Sequence, residues 1–444
     1  MSAPARARQA AMYVLGRCRR HGAWTAQTLS AATEKFGLDR RDAALCARLC
    51  RTVLQNESIC DYAIDCWSSV RSRRLEPAVR NALHLGLCQL LLMDRIPDSA
   101  AVGESVELVR RAGCARASGL VNAILRKAAA EGAFPEPPGA GTAKYISVRH
   151  SLPLVLCEQL TERYGYDFAL GFAEASNKEA PLCLTVNRLR TDINSLVKEL
   201  AADGVRSNLD ARFPDSLFPE NLGPIGDNAA FRAGKFYVQD AAAAFAVRAA
   251  DPKSGMRVLD GCAAPGGKSF LSAILMGDKG EIISCDKQGK KLHLVDEGAK
   301  RLGLHIISTH PMDAGNPDPA FEGAFDLVFA DVPCSGLGVL RRKPEIRSRK
   351  PEEISALPEE QLRLLRGLAG CVRPGGMLLY STCTVTAEEN ESVIEAFLRN
   401  NEDFVPEAFS LPDGNVVSNG MHRLWPHVEG TDGFFMCRMR KREV

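Results

Sequence analysis

Apolar residues recur at helical spacing along residues 1–128. Over 8–20 they place Ala11, Met12, Val14, Leu15 and Cys18 on one face, and over 43–54 they do the same with Ala44, Leu45, Leu49, Val53 and Leu54. The Leu-rich stretch 78–93, then 100–110 and 120–127, continue the pattern with little strand-like alternation, which predicts an all-α bundle. Residues 129–142 are too rich in Pro and Gly for either element and read as a linker. Over 143–233, helical runs at 153–164, 168–174 and 192–203 mix with a short β-rich run at 182–186, a small α+β insert.

At residue 234 the texture changes to alternating βαβ units, which continue to 444. Arg257–Asp260, Glu281–Asp286 and Phe325–Asp331 are apolar strands that each end in an acid. A helix carrying Leu362, Leu365, Leu368 and Val372 ends at Arg373-Pro-Gly-Gly376 and precedes a strand over 377–382. Such alternation predicts a parallel, doubly wound sheet with its ligands at the carboxyl ends of the strands.

Composition narrows the class. With 444 residues, 45% hydrophobic and 25% charged, the chain has the make-up of a folded globular protein. No apolar run approaches the ~20 residues of a membrane span, and no apolar segment follows Arg6 and Arg8, so a soluble, cytoplasmic protein without a secretory signal is expected. The 15 cysteines are scattered with no C-x-x-C pair, which argues for reduced thiols and against a zinc site. Charge is uneven: residues 1–130 hold 20 Lys+Arg against 11 Asp+Glu, and 18 of those cations are Arg, among them Arg17, Arg19, Arg20, Arg71, Arg73, Arg74, Arg110 and Arg111. A basic, arginine-rich half suits a polyanionic partner, against the plainer alternative of a solvated helical surface.

The chemistry concentrates at strand ends. Asp260-Gly-Cys-Ala-Ala-Pro-Gly-Gly-Lys-Ser269 follows a strand directly, and its glycines admit close backbone approach to a ligand. It is no Walker A loop, because Cys262 stands where Gly is required, and Ala263 breaks a G-x-G-x-x-G dinucleotide fingerprint, which removes a nicotinamide oxidoreductase. A nucleoside without phosphates to cradle, S-adenosylmethionine, fits better, with Asp286 placed for ribose hydroxyls. Asp331-Val-Pro-Cys-Ser-Gly336 and Ser381-Thr-Cys-Thr384 end two more strands and bring two cysteines to one crevice. A thiol is required when the methyl acceptor is C5 of a pyrimidine: thiolate addition to C6 makes C5 nucleophilic, and an acid at N3 stabilises the adduct. These residues do not decide which cysteine attacks.

Together they resemble the RNA cytosine-C5 methyltransferases, and within them the bacterial small-subunit ribosomal RNA enzymes with a NusB-like amino-terminal domain. The resemblance spans nearly the whole chain. It includes Asp42, Arg51-Thr-Val-Leu54, Gly119-Leu-Val-Asn-Ala-Ile-Leu-Arg126, Gly234-Lys-Phe-Tyr-Val-Gln-Asp240, Arg341-Arg-Lys-Pro-Glu-Ile346, Tyr380-Ser-Thr-Cys-Thr-Val-Thr-Ala-Glu-Glu-Asn390 and Gly430-Thr-Asp-Gly-Phe-Phe435. It implies a NusB-like RNA-binding bundle over 1–128, a small RNA-contacting α+β subdomain over 143–233, and a Rossmann-like, class I S-adenosylmethionine-dependent methyltransferase domain over 234–444. It implies Cys383 as the nucleophile, Cys334 in product release, and Asp331 near N3 with Lys268 close by. The cofactor is then held by Cys262, Ala263, Ala264, Pro265, Gly266, Gly267 and Lys268, with Asp286 at the ribose, Asp313 near the adenine and Asp331 at its edge. The implied partner is 16S rRNA, free or in an early assembly intermediate, met by a monomer. A tRNA cytosine methyltransferase and an RNA-binding assembly factor with a vestigial catalytic half are the alternatives. Thr185 and Ser348 depart from the family pattern at positions where altered RNA contacts are expected.

Overall fold

The computed structural model describes residues 6–21 and 25–443, without the side chains of Arg20, His21 and Ala26. It divides into two compact units, residues 1–178 with 340–349 and residues 179–339 with 350–444.

The first unit is helical throughout its described part. Helices Arg6–His21, Arg40–Gln55 and Pro77–Leu91 bury the apolar faces read from the sequence, including Val14, Leu15, Leu49, Val53 and Leu83. Asp39 caps the second of these by accepting from the Asp42 N–H, and Pro77 opens the third, where its missing N–H costs nothing. Two further helices, Thr25–Phe36 and Glu57–Trp67, were not anticipated, although the second buries Ile59, Cys60, Ala63 and Ile64 along one face. Helices Ala143–His150, Leu154–Tyr164 and Tyr166–Asn177 lie in the first unit, where the Ser151 hydroxyl accepts from the N–H groups of Ser58 and Ile59.

Part of the basic charge is turned inward. The Arg19 guanidinium meets Glu57, Asn81 and buried His84, and Arg8 donates to Gln89 and pairs with Glu104. Arg71, Arg110 and Arg111 stand beside acids as well. Arg17, Arg73 and Arg74 are exposed, and the Arg20 side chain lies outside the described residues.

In the second unit β1 (Leu184–Val186), β2 (Ser207–Leu209), β3 (Ser216–Pro219) and β4 (Phe236–Val238) form a small antiparallel sheet in the order β2-β3-β1-β4. Then follow β5 (Arg257–Asp260), β6 (Glu281–Asp286), β7 (Ile307–Pro311), β8 (Phe325–Asp331), β9 (Val372–Thr382), β10 (Phe404–Pro406), the β11–β12 pair (Phe409–Ser410, Val416–Val417), β13 (Met421–Leu424) and β14 (Phe434–Lys441). Their main order is β10-β14-β9-β8-β5-β6-β7, with β13 on β14. Strands β5 to β9 are parallel as expected, but β14 inserts antiparallel to β9, so the sheet is mixed. Strand β9 also starts five residues earlier than expected, at Val372, because Val372 pairs with Phe325; residues 373–376 then bulge out of the ladder, with Gly375 at φ +73°, before Met377 pairs with Leu327.

Both faces of this sheet are covered. Along β8, Leu327 and Phe329 enter one core with Phe270 and Val295, while Val328 and Ala330 enter another with Leu365 and Leu368. The strand order reverses at β5/β8, which opens a crevice at their carboxyl ends.

Segment 340–349 has an unusual anchor. Arg347 is only partly buried as a residue, yet its guanidinium is enclosed and donates to the carbonyls of Gln55, His150, Ser151 and Ser176 at 2.8–3.3 Å. These carbonyls lie at or near the carboxyl ends of three helices, whose dipoles stand in for a carboxylate. Burial lowers the Arg347 pKa to about 9. Replacing Arg347 with Met removes the donor from all four carbonyls and is expected to cost about 3 kcal/mol. Chemical denaturation of the full chain measures it, and an unchanged midpoint refutes the anchor.

Candidate active site

Parallel pairing of β8 with β9 sets Asp331 opposite Ser381 at the sheet's carboxyl edge. The Ser381 hydroxyl donates to Asp331 Oδ1 at 2.6 Å, and Lys268 Nζ meets Oδ2 at 2.6 Å. Lys268 comes from the first turn of the Gly267–Leu275 helix, which the loop after β5 carries to the same edge. It is buried, with the Phe434 ring 5.4 Å away. The result is an oriented carboxylate with a lysine held against it.

Just past the ends of β8 and β9, in the loops that follow, stand the two cysteines. Cys334 Sγ lies 3.3 Å from Cys383 Sγ, and both residues are half-buried. Gly338 makes the approach possible: a Cβ there would lie 2.0 Å from the Gly433 carbonyl oxygen and 2.8 Å from that of Cys383. The hydrogen bond with Cys383 and, after it, burial push the Cys334 thiol well above the ordinary range, so Cys334 keeps its proton at neutral pH. All 15 cysteines are free, and most are inert buried thiols.

The loop 261–266 is pinned through its backbone: Gly261 N–H donates to Phe329 and Ala263 N–H to Cys285. Gly266 holds φ at +109°, and a Cβ there would collide with Phe270. Burial raises the Cys262 thiol well above the usual range, which makes it a wall and not a nucleophile. A cleft of about 720 Å³ opens beside the loop, lined by Gln239, Asp260, Ala264, Lys268 and Asp331. Asp260 is buried; its Oδ2 accepts from Ser269 at 2.7 Å, while Oδ1 has no partner. Burial raises its pKa to about 6. A cleft lined by the glycine loop and by the carboxylates of Asp260 and Asp331 fits a sulfonium nucleoside with its ammonium group.

Asp286 ends β6 with Oδ1 accepting from the Gln288 N–H. Asp313 lies past β7 and is heavily engaged: Gly315 N–H, Lys287 and Arg363 hold its pKa down at about 2. The sequence motifs at Gly234–Asp240 and Tyr380–Asn390 carried no assigned role for Gln239 or Glu389. Gln239 Oε1 accepts from Thr185 and Tyr237. Thr185 is therefore a buried support for Gln239 and not a surface RNA contact.

A doubly wound sheet of this order, with a glycine loop after β5 and an acid ending β6, is the Rossmann-like frame of an S-adenosylmethionine-dependent methyltransferase. Family models bear this out: one described as 16S rRNA methyltransferase RsmB/F matches residues 247–440, the NusB family matches 5–130, and an RsmF/B-like ferredoxin-like domain matches 152–225. The probable ribosomal RNA small subunit methyltransferase B of Bacillus subtilis (strain 168) is 34% identical over 442 residues, 98% of each chain. Its counterpart in Xanthomonas campestris pv. campestris is 31% identical, covering 91% of this chain and 90% of that one. The crystal structure of PH0851 superposes with a TM-score of 0.81 at 26% identity, covering 99% of this chain and 100% of that chain. The chain is an RNA methyltransferase. It belongs to the ribosomal RNA small subunit methyltransferase B family. Among the described residues no helix is long and apolar enough to cross a membrane.

Asp260 sets a pH dependence. Its folded pKa lies above the unfolded carboxyl value, so its contribution is full below about pH 4 and is lost as pH rises through about 6. Asp260→Asn is expected to stabilise the ligand-free protein by roughly 2 kcal/mol at pH 8 and to leave it unchanged at pH 4. Thermal melts at both pH values check this; equal melting at pH 8 rules it out.

Proposed function

We propose that this protein methylates C5 of a cytosine in 16S rRNA through a covalent adduct between Cys383 and C6. The observation that carries the reading is the thiol pair, 3.3 Å apart, beside the Lys268–Asp331 pair. Amino methylation needs no thiol; addition to C6 of a pyrimidine does. The family resemblance makes Cys383 the sulfur that attacks, with Cys334 Sγ 3.3 Å away. Each Asp331 oxygen has one protein donor and a second lone pair left, available to the N4 amino group or to N3 when it carries a proton. S-adenosylmethionine, when bound, supplies the electrophilic methyl group to C5. Loop 262–268, Asp286, Asp313 and Asp331 would hold it, with Asp260 in the lining of the same cleft. Release requires the C5 proton to pass to a base and the C6–S bond to break with its electron pair returning to the Cys383 sulfur, and Cys334, 3.3 Å from it, assists there. A stacked base hides C6, so the target cytosine lies in a loop or is flipped out.

Tritium transfer from labelled S-adenosylmethionine tests chemistry and substrate together. Label at C5 of cytosine in unmodified small-subunit rRNA, a dead Cys383→Ala and a stable protein–RNA adduct with Cys334→Ala are expected. Label on tRNA instead moves the substrate assignment to the tRNA enzymes; label on neither removes the activity.

We infer that the NusB-like bundle, expected over 1–128, supplies phosphate contacts and the catalytic crevice reads the base. The exposed pair Arg73 and Arg74 are the contacts to remove. In full-length protein, Arg73→Ala with Arg74→Ala is expected to weaken rRNA binding and to lower the salt slope by about 2, with S-adenosylmethionine affinity unchanged. Binding curves over a salt series decide it, and an unaltered slope excludes this face.

A further inference from the structure

Glu389 is 1% exposed; its charge helps to raise the Cys334 thiol, and its carboxylate joins the two loops that carry the thiols. Oε2 accepts from the Ser335 backbone N–H at 2.8 Å and from Gln361 Nε2 at 2.9 Å. Oε1 accepts from Thr386 at 2.9 Å and from Thr384 at 3.3 Å. Ser335 follows Cys334 in the chain and Thr384 follows Cys383, and their hydroxyls meet each other at 2.7 Å. Gln361 Nε2 also reaches the Pro333 carbonyl at 3.0 Å, on the other side of Cys334. The Tyr380 hydroxyl ties down the Glu389 backbone carbonyl at 2.6 Å. A carboxylate taken out of water survives only with its lone pairs satisfied, and here four donors meet them, drawn from both cysteine loops and the helix behind.

We propose that Glu389 is a positioning residue: by bridging the Ser335 N–H and the Thr384 hydroxyl it fixes the Cys334 loop against the Cys383 loop and sets the separation of the thiols. The proposal rests on the two-thiol reading of the site. It makes glutamate at 389 a matter of hydrogen-bond geometry. A glutamine there still accepts from Ser335 and Gln361 through its oxygen, and its amide can donate to the Thr384 and Thr386 hydroxyls, which accept as readily as they donate. An alanine removes the bridge altogether.

The test uses the full-length protein with Glu389→Ala, Glu389→Gln and, as a control, Cys383→Ala. Three quantities are read: turnover on rRNA, S-adenosylmethionine affinity, and the rate at which the oxidant diamide couples Cys334 to Cys383, with the two thiol hydrogens passing to diamide and the product mapped by mass spectrometry. Glu389→Ala is expected to lower kcat about 100-fold and the coupling rate about tenfold while keeping cofactor affinity, and Glu389→Gln to stay within about fivefold of wild type in both. A residue that only stabilises the fold moves the melting temperature and neither of these rates in the folded protein. Wild-type coupling and turnover in Glu389→Ala overturn the proposal, as does a Glu389→Gln variant as impaired as the alanine. If Glu389→Ala loses cofactor binding through misfolding, Glu389→Gln decides alone on the same criteria. Activity that survives Cys383→Ala sinks the two-thiol reading itself, whereas a dead Cys383→Ala beside a fully active Glu389→Ala sinks only the role of Glu389.

Discussion

The register between β8 and β9 is the constraint on which the second unit's chemistry depends. Asp331 sits opposite Ser381 because the strands are parallel and in step there. Slipping one residue would send each of these side chains to the other face of the sheet. The sheet is buried on both faces, so such a slip would also expel Leu327, Phe329, Leu378 and Tyr380 from their cores. Core packing and site geometry are thus enforced by one alignment. The cysteines, 49 residues apart in sequence, inherit their proximity from it.

Beyond the strand ends, polar groups take over from apolar packing. Around the thiols the backbone leaves the sheet, and its groups are satisfied by buried side chains: Glu389 at Ser335, Gln361 at Pro333, Asn390 at the Thr384 carbonyl. A buried network of this kind tolerates little rearrangement, because any group that loses its partner pays its desolvation in full. Asp260 is buried beside the glycine loop, and desolvation raises its pKa even though the Ser269 hydroxyl and the Lys268 charge oppose the rise.

The first unit solves a different electrostatic problem. Three helices end on Arg347, whose guanidinium donates to their carbonyls and makes no ion pair with an acid among the described residues. Arg8 and Arg19 are likewise drawn inside, onto Gln89, Asn81 and His84. The arginine excess of this half therefore has two uses, and only its exposed members, such as Arg73 and Arg74, are available to a polyanion.

Much was legible in the sequence alone. Apolar spacing of 3.6 residues marked the helices of the first unit, and acid-terminated apolar runs marked β5, β6 and β8, because each pattern reports which faces must leave water. The glycine loop pointed to an S-adenosylmethionine-dependent methyltransferase, the class that the family models bear out. Tertiary structure alone decided the rest. It placed β14 antiparallel beside β9 and turned Arg8 and Arg19 inward. It made Glu389 the bridge between loops whose first residues are 54 positions or fewer away from it in the chain. Those outcomes depend on which buried groups find partners across long stretches of chain. Local periodicity shows which side of an element is buried; what lies against that side is settled only when the elements pack.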